Sequence, residues 1–559
     1  MSTRSGGPEV YTGSQLFKSL SISTGLPLDQ INFLLAQLSG LVFAIVFRKY
    51  LSYTRVSVAT RQYVCLIFGA IIGYFCFGQQ IYNLLILTTL SYIAILTCSP
   101  NVVQRVVLFV ALMYLSYLHL LRLFHDYGGY TIDITGPIMI AVQKVTNVGF
   151  SLHDGLNKSD EELTDDQKRY AIRRKPTFLE YYSYVFQFHT LMCGPLVFYN
   201  DYIDFITGQN YERHRHRQHH HHIIDNTSGD KQLLIQESPN NHNTNNKQFP
   251  SPLVPAIRKL TVSLTFAVLL LTIAPMFPIT YLADNKFLDE TPFLTKLVYI
   301  LCATCVARFK YYHAWILGEV ICLASGLGFA GYDTTDTTDN TTDNSDGRRP
   351  DWELMSNIDI FGFENALNFR TSLTAWNKTT QLWLRRTAYD RNRGPLRLLL
   401  TYVLSALWHG FYPGYYLTFL GGAFFTMAAR NVRRLVRPHF HRQHHEDSRY
   451  RPVLAIVYDC LTYLTTRIVM AYLVFPFVLL EFRACYEVYK RLYFFGHLLG
   501  LFAIVVLPTI VSAPPKLPTT PTKANCASNG NNVNSIYNNH NNSNKKHLPV
   551  IDDRHKKFD

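Results

Sequence analysis

Apolar residues in this chain fall into long, recurring blocks. Examples are Ile31–Phe47, Ile81–Leu96, Val106–Leu121, Leu260–Ile279, Trp315–Phe329, Tyr415–Ala429, Tyr463–Leu480 and Phe494–Val511. A bilayer core takes about 20 apolar residues per helix, within a range of roughly 17–25. Several blocks reach that length, and the shorter ones suit tilted, re-entrant or protein-buried helices. None alternates as a strand does, which argues against a membrane barrel. The pattern predicts an all-α polytopic membrane protein of about 10–12 transmembrane or re-entrant helices, judged by block length. Four polar stretches punctuate it: Met1–Leu26, Thr207–Pro252, Asp333–Asp351 and Ser512–Asp559. The expected organisation is a polar segment 1–26 and a membrane domain 27–511. That domain carries inserts at 207–252 and 333–351 and a basic loop at 430–451. A disordered Asn-rich tail follows at 512–559. No small-residue cleavage site follows the first apolar block, so it reads as a retained helix rather than a signal peptide.

Composition sharpens this picture. Hydrophobic residues are 48% of the 559, so the apolar blocks are richer than that and the polar stretches far poorer. Charged residues are 16%, below the roughly 25% of soluble domains. A mean hydropathy of +0.02 is an average over these two kinds of sequence. A single soluble domain is excluded, as are collagenous, coiled-coil and disulfide-stapled proteins. Ten cysteines lie scattered, mostly in apolar blocks, and read as buried thiols.

The net charge of +14 matters mainly through its placement. Arg385, Arg386, Arg391, Arg393 and Arg397 form one cluster, and Arg430, Arg433, Arg434, Arg437, Arg442, Arg449 and Arg451 form another. Both flank apolar blocks, so the positive-inside rule puts them on the cytosolic side and argues against nucleic-acid binding. Leu396–Leu407 then leaves the cytosol, Phe411–Pro413–Gly414 turns, and Tyr415–Ala429 returns. Continuing the count places the C-terminus in the cytosol. The chain ends Lys556-Lys557-Phe558-Asp559, similar to the dilysine signal that coat proteins read on cytosolic tails of endoplasmic-reticulum membrane proteins.

Several motifs are weaker than they look. The run His214–His222 lies in an Asn/Gln/His-biased stretch without spaced acidic or cysteine partners, so it reads as a low-complexity loop, not a metal site. The Asp-Thr-Thr repeat at 333–346 reads as disordered. Gly326, Gly328 and Gly331 fit G-x-G-x-x-G, but an apolar segment precedes and the Asp-Thr tract follows, so a tight turn at a membrane helix end is the better reading. Cys302-x-x-Cys305 has no second pair and reads as packing. Sequons at Asn157, Asn226, Asn340, Asn377 and Asn541 need a lumenal loop, and none is assigned as glycosylated.

One segment carries chemistry. It runs W-N-K-T-T-Q-L-W-L-R-R from Trp376 to Arg386, followed by S-A-L-W-H-G-F-Y-P-G-Y-Y from Ser405 to Tyr416. From Leu396 to His409 is about 20 Å of helix, which places an imidazole inside the membrane toward the lumenal leaflet. Ionisable groups at that depth mark functional sites by default. A histidine bridging two helices by hydrogen bonds is an equal reading from position alone, and Asn377 has the same ambiguity.

These motifs resemble the membrane-bound O-acyltransferase family, specifically its lysophospholipid acyltransferase branch. The resemblance spans most of the chain: P-L-D-Q-I-N-F (27–33), F-R-K-Y-L (47–51), H-D-G-L (153–156), P-T-F-L-E-Y-Y-S-Y (176–184), C-G-P (193–195), S-G-L-G-F-A-G-Y-D (325–333), the W-N and W-H-G segments, and V-F-P-F-V-L-L (474–480). It implies the family's fold around a catalytic tunnel, with His409 and Asn377 as the catalytic pair. It also implies acyl-CoA as donor, a lysophospholipid as acceptor, no cofactor or metal, and an endoplasmic-reticulum membrane location. Candidate substrate-binding residues are Trp376, Trp408, Gly410, Tyr184, Gly194 and Pro195, although Trp376, Trp383 and Trp408 suit helix packing better than stacking on adenine. In this role a histidine that accepts protons near neutral pH serves as general base, and an amide orients or polarises the thioester. The arginines near Asn377 fit topology better than steering of CoA phosphates. His220 and Asp225 also match the H-x4-D pattern of the other large class of glycerolipid acyltransferases, inside the histidine tract and by chance. The polar inserts depart from the family. Two alternatives stand: the same fold acting on a protein or sterol acceptor, or a non-enzymatic transporter or scaffold.

Overall fold

Helices take up nearly every apolar block. The computed structural model describes residues 11–129, 131–213, 250–332, 349–441 and 451–512. Outside the described residues lie the histidine run, the His220/Asp225 pair, the Asp-Thr tract, three sequons (Asn226, Asn340, Asn541), Arg442, Arg449 and the tail with Lys556-Lys557.

The helices used below are α1 (Leu28–Tyr50), α2 (Val58–Phe77), α3 (Ile81–Thr97), α4 (Val103–His125), α5 (Thr135–Asn157), α6 (Phe178–Phe186), α7 (Tyr199–Thr207), α8 (Leu253–Thr272), α9 (Phe293–Ser325), α10 (Ile360–Glu364), α11 (Phe369–Ala375), α12 (Lys378–Leu384), α13 (Arg397–His409), α14 (Pro413–Leu435), α15 (Arg451–Leu479), α16 (Phe482–Arg491) and α17 (Phe495–Ile510). Among the described residues five stretches are long and apolar enough to cross a membrane: Leu28–Tyr50, Val58–Thr97, Val103–His125, Leu253–Ala283 and Val453–Leu479. The bent pair α16–α17, turned by 76°, supplies a sixth. This is an all-α, multi-pass membrane architecture. The only strands among the described residues are two-residue β1 (Gly331–Tyr332) and β2 (Pro350–Asp351), paired antiparallel.

The polarity of the helices is inverted relative to a soluble bundle. The most apolar span, Leu253–Ala283, is only 6% buried in protein and faces outward along most of its surface. By contrast α5 is enclosed nearly all round, and its Gln143, Lys144, Thr146, Asn147, Ser151 and Asp154 are all buried. Lipid covers apolar side chains without cost, so the polar groups go where other helices satisfy them.

Some boundaries differ from the sequence reading. The Trp315–Phe329 block is the far end of the 33-residue α9, because Lys296, Arg308 and other polar residues in its first half are buried by neighbours and interrupt the apolar run. Ser325 ends that helix at Gly326, so the G-x-G-x-x-G segment is a helix end and hairpin. Part of the polar N-terminal segment belongs to the membrane domain. Tyr11 Oη donates to Cys76 O at 2.5 Å, Thr12 Oγ1 to Phe77 O at 2.9 Å, and Asn32 Nδ2 to Ser14 O at 2.8 Å. The nine described cysteines form no disulfide, and Cys460 is exposed rather than buried.

Residues 352–396 form short helices tied to the long ones. Glu364, ending α10, meets Arg308, which lies 17 residues before the end of α9, about 25 Å along its axis. Arg308 Nη2 donates to Glu364 Oε1 at 2.7 Å, Tyr312 Oη at 2.6 Å and Arg467 Nη1 of α15 to Oε2 at 3.1 Å. One carboxylate thus pairs with two arginines and ties α9, α10 and α15 together. Removing one member of such a half-buried group strands the others. Glu364→Ala is expected to cost on the order of 3 kcal/mol, read as a lower unfolding temperature of the detergent-purified protein, with Glu364→Gln intermediate.

Candidate active site

The last helical residue of α13 is His409. Gly410 breaks the helix with φ 118, a conformation open chiefly to glycine. His409 Nδ1 lies 2.7 Å from Ser405 O, one turn back. A carbonyl only accepts, so this bond puts the proton on Nδ1 and leaves the Nε2 lone pair free. Among the described residues nothing engages Nε2. Aromatic rings surround the imidazole: Trp408 at 4.5 Å, Phe419 at 4.5 Å, Phe477 at 5.3 Å and Tyr415 at 5.9 Å between centroids. His119 of α4 backs the same turn, with Nε2 3.1 Å from Trp408 O. The ring is therefore packed among aromatic side chains, tautomerically fixed and able to accept a proton at one nitrogen.

The returning chain is packed tightly at this point. A Cβ on Gly414 would sit 2.0 Å from Pro476 O and 2.9 Å from Leu480 Cα, so only glycine lets α14 start against the end of α15. That approach carries Tyr415 and Phe477, 4.9 Å apart, to the histidine.

Asn377 stands at the start of α12 in the left-handed region, φ 44 and ψ 55. Asparagine tolerates this better than most residues. Its amide makes no capping bond and no other hydrogen bond among the described residues. The preceding Trp376 packs on Tyr312, Trp315 and Phe363 at 5.9, 5.0 and 5.0 Å. Trp315 is ten residues from the end of α9, so Trp376 packs about 15 Å along that helix from its C-terminal end.

A common support sets these two residues relative to each other. On α5, Met139 O accepts from Trp408 Nε1 at 2.9 Å, Gln143 Nε2 donates to Thr380 Oγ1 at 2.9 Å, and Thr146 Oγ1 accepts from Trp383 Nε1 at 2.9 Å. Positions 139, 143 and 146 share one helix face. One turn of α5 thus holds both the neighbour of His409 and the residue three after Asn377. Trp383 and Trp408 also touch each other, with centroids 5.8 Å apart.

The other candidates divide. Trp376, Trp408 and Gly410 adjoin the pair. Tyr184 is fully buried in α6, its hydroxyl donating to Val197 O at 2.8 Å, and it has no recorded contact with either residue. Gly194 lies against Gly318 of α9, and the residue after Pro195, Leu196, donates its N–H to Thr379 Oγ1 at 3.0 Å. This segment therefore buttresses α12. Three of the arginines that follow α12 are paired with carboxylates: Arg385 to Asp390 at 3.1 Å, Arg386 to Asp166 at 3.2 Å, and Arg391 to Asp154 at 2.6 Å. Nearby, burial pushes the Asp201 carboxyl up to about 6, against the opposing pull of Arg169 at 3.6 Å. Sequence reading missed His119, Tyr415, Phe419, Phe477 and the α5 face. Tyr415 and Phe477 stand inside the segments that carry the family resemblance, and His119 is an ionisable residue in an apolar block, the same signal that singled out His409.

Residues 119–475 match the membrane-bound O-acyltransferase family. Over 517 residues the chain is 41% identical to lysophospholipid acyltransferase 6 of Drosophila melanogaster, covering 92% of this chain and 66%, just under two thirds, of that protein. It is 36% identical over 506 residues to membrane-bound glycerophospholipid O-acyltransferase 1 of Mus musculus, covering 90% and 95% of the two chains. Over 499 residues it is 36% identical to membrane-bound glycerophospholipid O-acyltransferase 2 of Homo sapiens, covering 89% and 88%.

Two backbone predictions follow from the site geometry. Asn377→Gly is expected to retain the wild-type unfolding temperature, because glycine accepts the left-handed conformation, whereas Asn377→Ala loses about 1 kcal/mol to strain. Gly414→Ala is expected to lose roughly 1–3 kcal/mol by overpacking. Thermal unfolding of the purified protein measures all three.

Proposed function

We propose, given that this chain belongs to the membrane-bound O-acyltransferase family, that it moves a fatty acyl group from acyl-CoA to the free hydroxyl of a lysophospholipid. The single observation that carries the mechanism is the Nδ1 bond from His409 to Ser405 O at 2.7 Å, which leaves Nε2 as acceptor within an aromatic shell. The names of the relatives support the lysophospholipid acceptor over a protein or sterol.

In this reading Nε2 of His409 takes the hydroxyl proton of the lysolipid as its oxygen attacks the thioester carbonyl. The carbonyl oxygen gains negative charge, and the amide of Asn377 donates to it, an interaction worth roughly 3 kcal/mol in comparable sites. Collapse of the adduct expels the CoA thiolate, which recovers the proton from the imidazolium. The ester forms, the thioester breaks, and the histidine returns to its starting state. The aromatic shell of Trp408, Tyr415, Phe419 and Phe477 excludes the water that would hydrolyse the thioester. The reaction needs no cofactor, because the thiolate is already a good leaving group. Acyl-CoA and lysophospholipid meet in the tunnel expected of the family, between α5, α12, α13 and α14. The arginine clusters beside apolar blocks support a cytosolic C-terminus, and an endoplasmic-reticulum location with coat-protein recognition belongs to the same proposal.

Microsomes from cells expressing the chain are expected to esterify lysophospholipid with radiolabelled acyl-CoA. His409→Ala is expected to abolish the product at unchanged protein level, and an acceptor panel including a sterol and a serine peptide should favour lysophospholipid. Unchanged activity in His409→Ala would refute the assignment.

A further inference from the structure

Asn377 occupies the N-cap position of α12, yet its amide caps nothing. The first N–H groups of any helix need partners from outside it. Here they find them on Asn357, twenty residues earlier. Asn357 O accepts from Lys378 N at 2.7 Å, and Asn357 Oδ1 accepts from Thr379 Oγ1 at 2.7 Å and Thr379 N at 3.3 Å. Two further bonds close the same strap: Asp359 N to Ala375 O at 2.9 Å and Lys378 Nζ to Ser356 Oγ at 2.8 Å.

The strap is itself anchored. Glu319 of α9 is 1% exposed, and its Oε1 accepts from Asn357 N at 2.6 Å and Ile358 N at 3.2 Å. Its Oε2 accepts from Lys259 Nζ of α8 at 2.7 Å, and Lys259 also reaches Glu353 at 3.0 Å. A buried carboxylate with a cation and two backbone donors is a satisfied group in a fixed place.

We infer that Asn357, pinned by the Glu319–Lys259 pair, is a positioning residue that caps α12 in place of Asn377. It holds the left-handed backbone at position 377 and leaves the Asn377 amide free for a substrate carbonyl. The amide is the group that the proposed function uses, so this inference rests on that reading. An asparagine left to cap its own helix would turn its side-chain oxygen to the N–H groups of positions 379 and 380, and its amide would leave the site.

The test uses the full chain purified in detergent, with activity expressed per folded enzyme from gel filtration. Asn357→Ala is expected to lower kcat by about 10–100-fold, the usual effect of misplacing a reacting group by an ångström. The KM values for acyl-CoA and lysophospholipid should stay within about twofold, because the strap acts through the placement of the Asn377 amide at the reacting carbonyl. Asn357→Asp keeps the acceptor oxygen and is expected to recover most of kcat. Thr379→Val, which removes the hydroxyl partner, should repeat the loss, and Thr379→Ser should reverse it. Wild-type kcat in Asn357→Ala overturns the inference while leaving the His409 reading intact. So does a loss that tracks the fraction of folded protein or appears in KM. A wild-type protein inert toward every lysophospholipid overturns the acceptor assignment and this inference with it.

Discussion

One face of α5 sets the geometry of the site. Met139, Gln143 and Thr146 hold Trp408, Thr380 and Trp383, and so fix the turn ending at His409 against the turn beginning at Asn377. Each bond is an ordinary hydrogen bond. Their effect comes from spacing, because three contacts over two turns of one rigid helix leave α12 and α13 little freedom to slide or rotate. In a lipid surrounding no hydrophobic force presses helices together, so such polar contacts and close packing at small residues carry the alignment. Gly414 against Pro476 is the packing counterpart, and it delivers Tyr415 and Phe477 to the imidazole.

The buried charges follow the same logic. Glu364 with Arg308 and Arg467, Glu319 with Lys259, and Asp154 with Arg391 each join elements distant in sequence. Each ties the segment 352–396 or its flank to a long helix. The segment's place is set by these ionic ties and by the Trp376 ring among Tyr312, Trp315 and Phe363. Among the described residues the amide of Asn377 and Nε2 of His409 make no hydrogen bond.

Much of the architecture was legible beforehand because lipid-facing helices must be apolar. The first block, the Tyr463–Leu480 block and the short helix ending at His409 all appear close to where the pattern puts them. Legibility failed for helices enclosed by others. The polar residues of α5 obscure a helix that is buried along most of its length, and the first half of α9 is hidden in the same way. At the site, depth alone singled out His409 but left it balanced between chemistry and packing. The same depth rule applied to His119, Lys144 and Glu319 would have marked three more residues.

By itself the sequence determined an all-helical membrane protein, its polar inserts, and the two segments whose residues carry the chemistry, because these depend on local composition and on spacing along one strand of chain. Only the tertiary structure decided which residue caps α12 and which helix face holds the two halves of the site in register. Those facts depend on partners twenty to nearly three hundred residues away, and no local pattern encodes the meeting of Asn357 with Thr379 or of Met139 with Trp408.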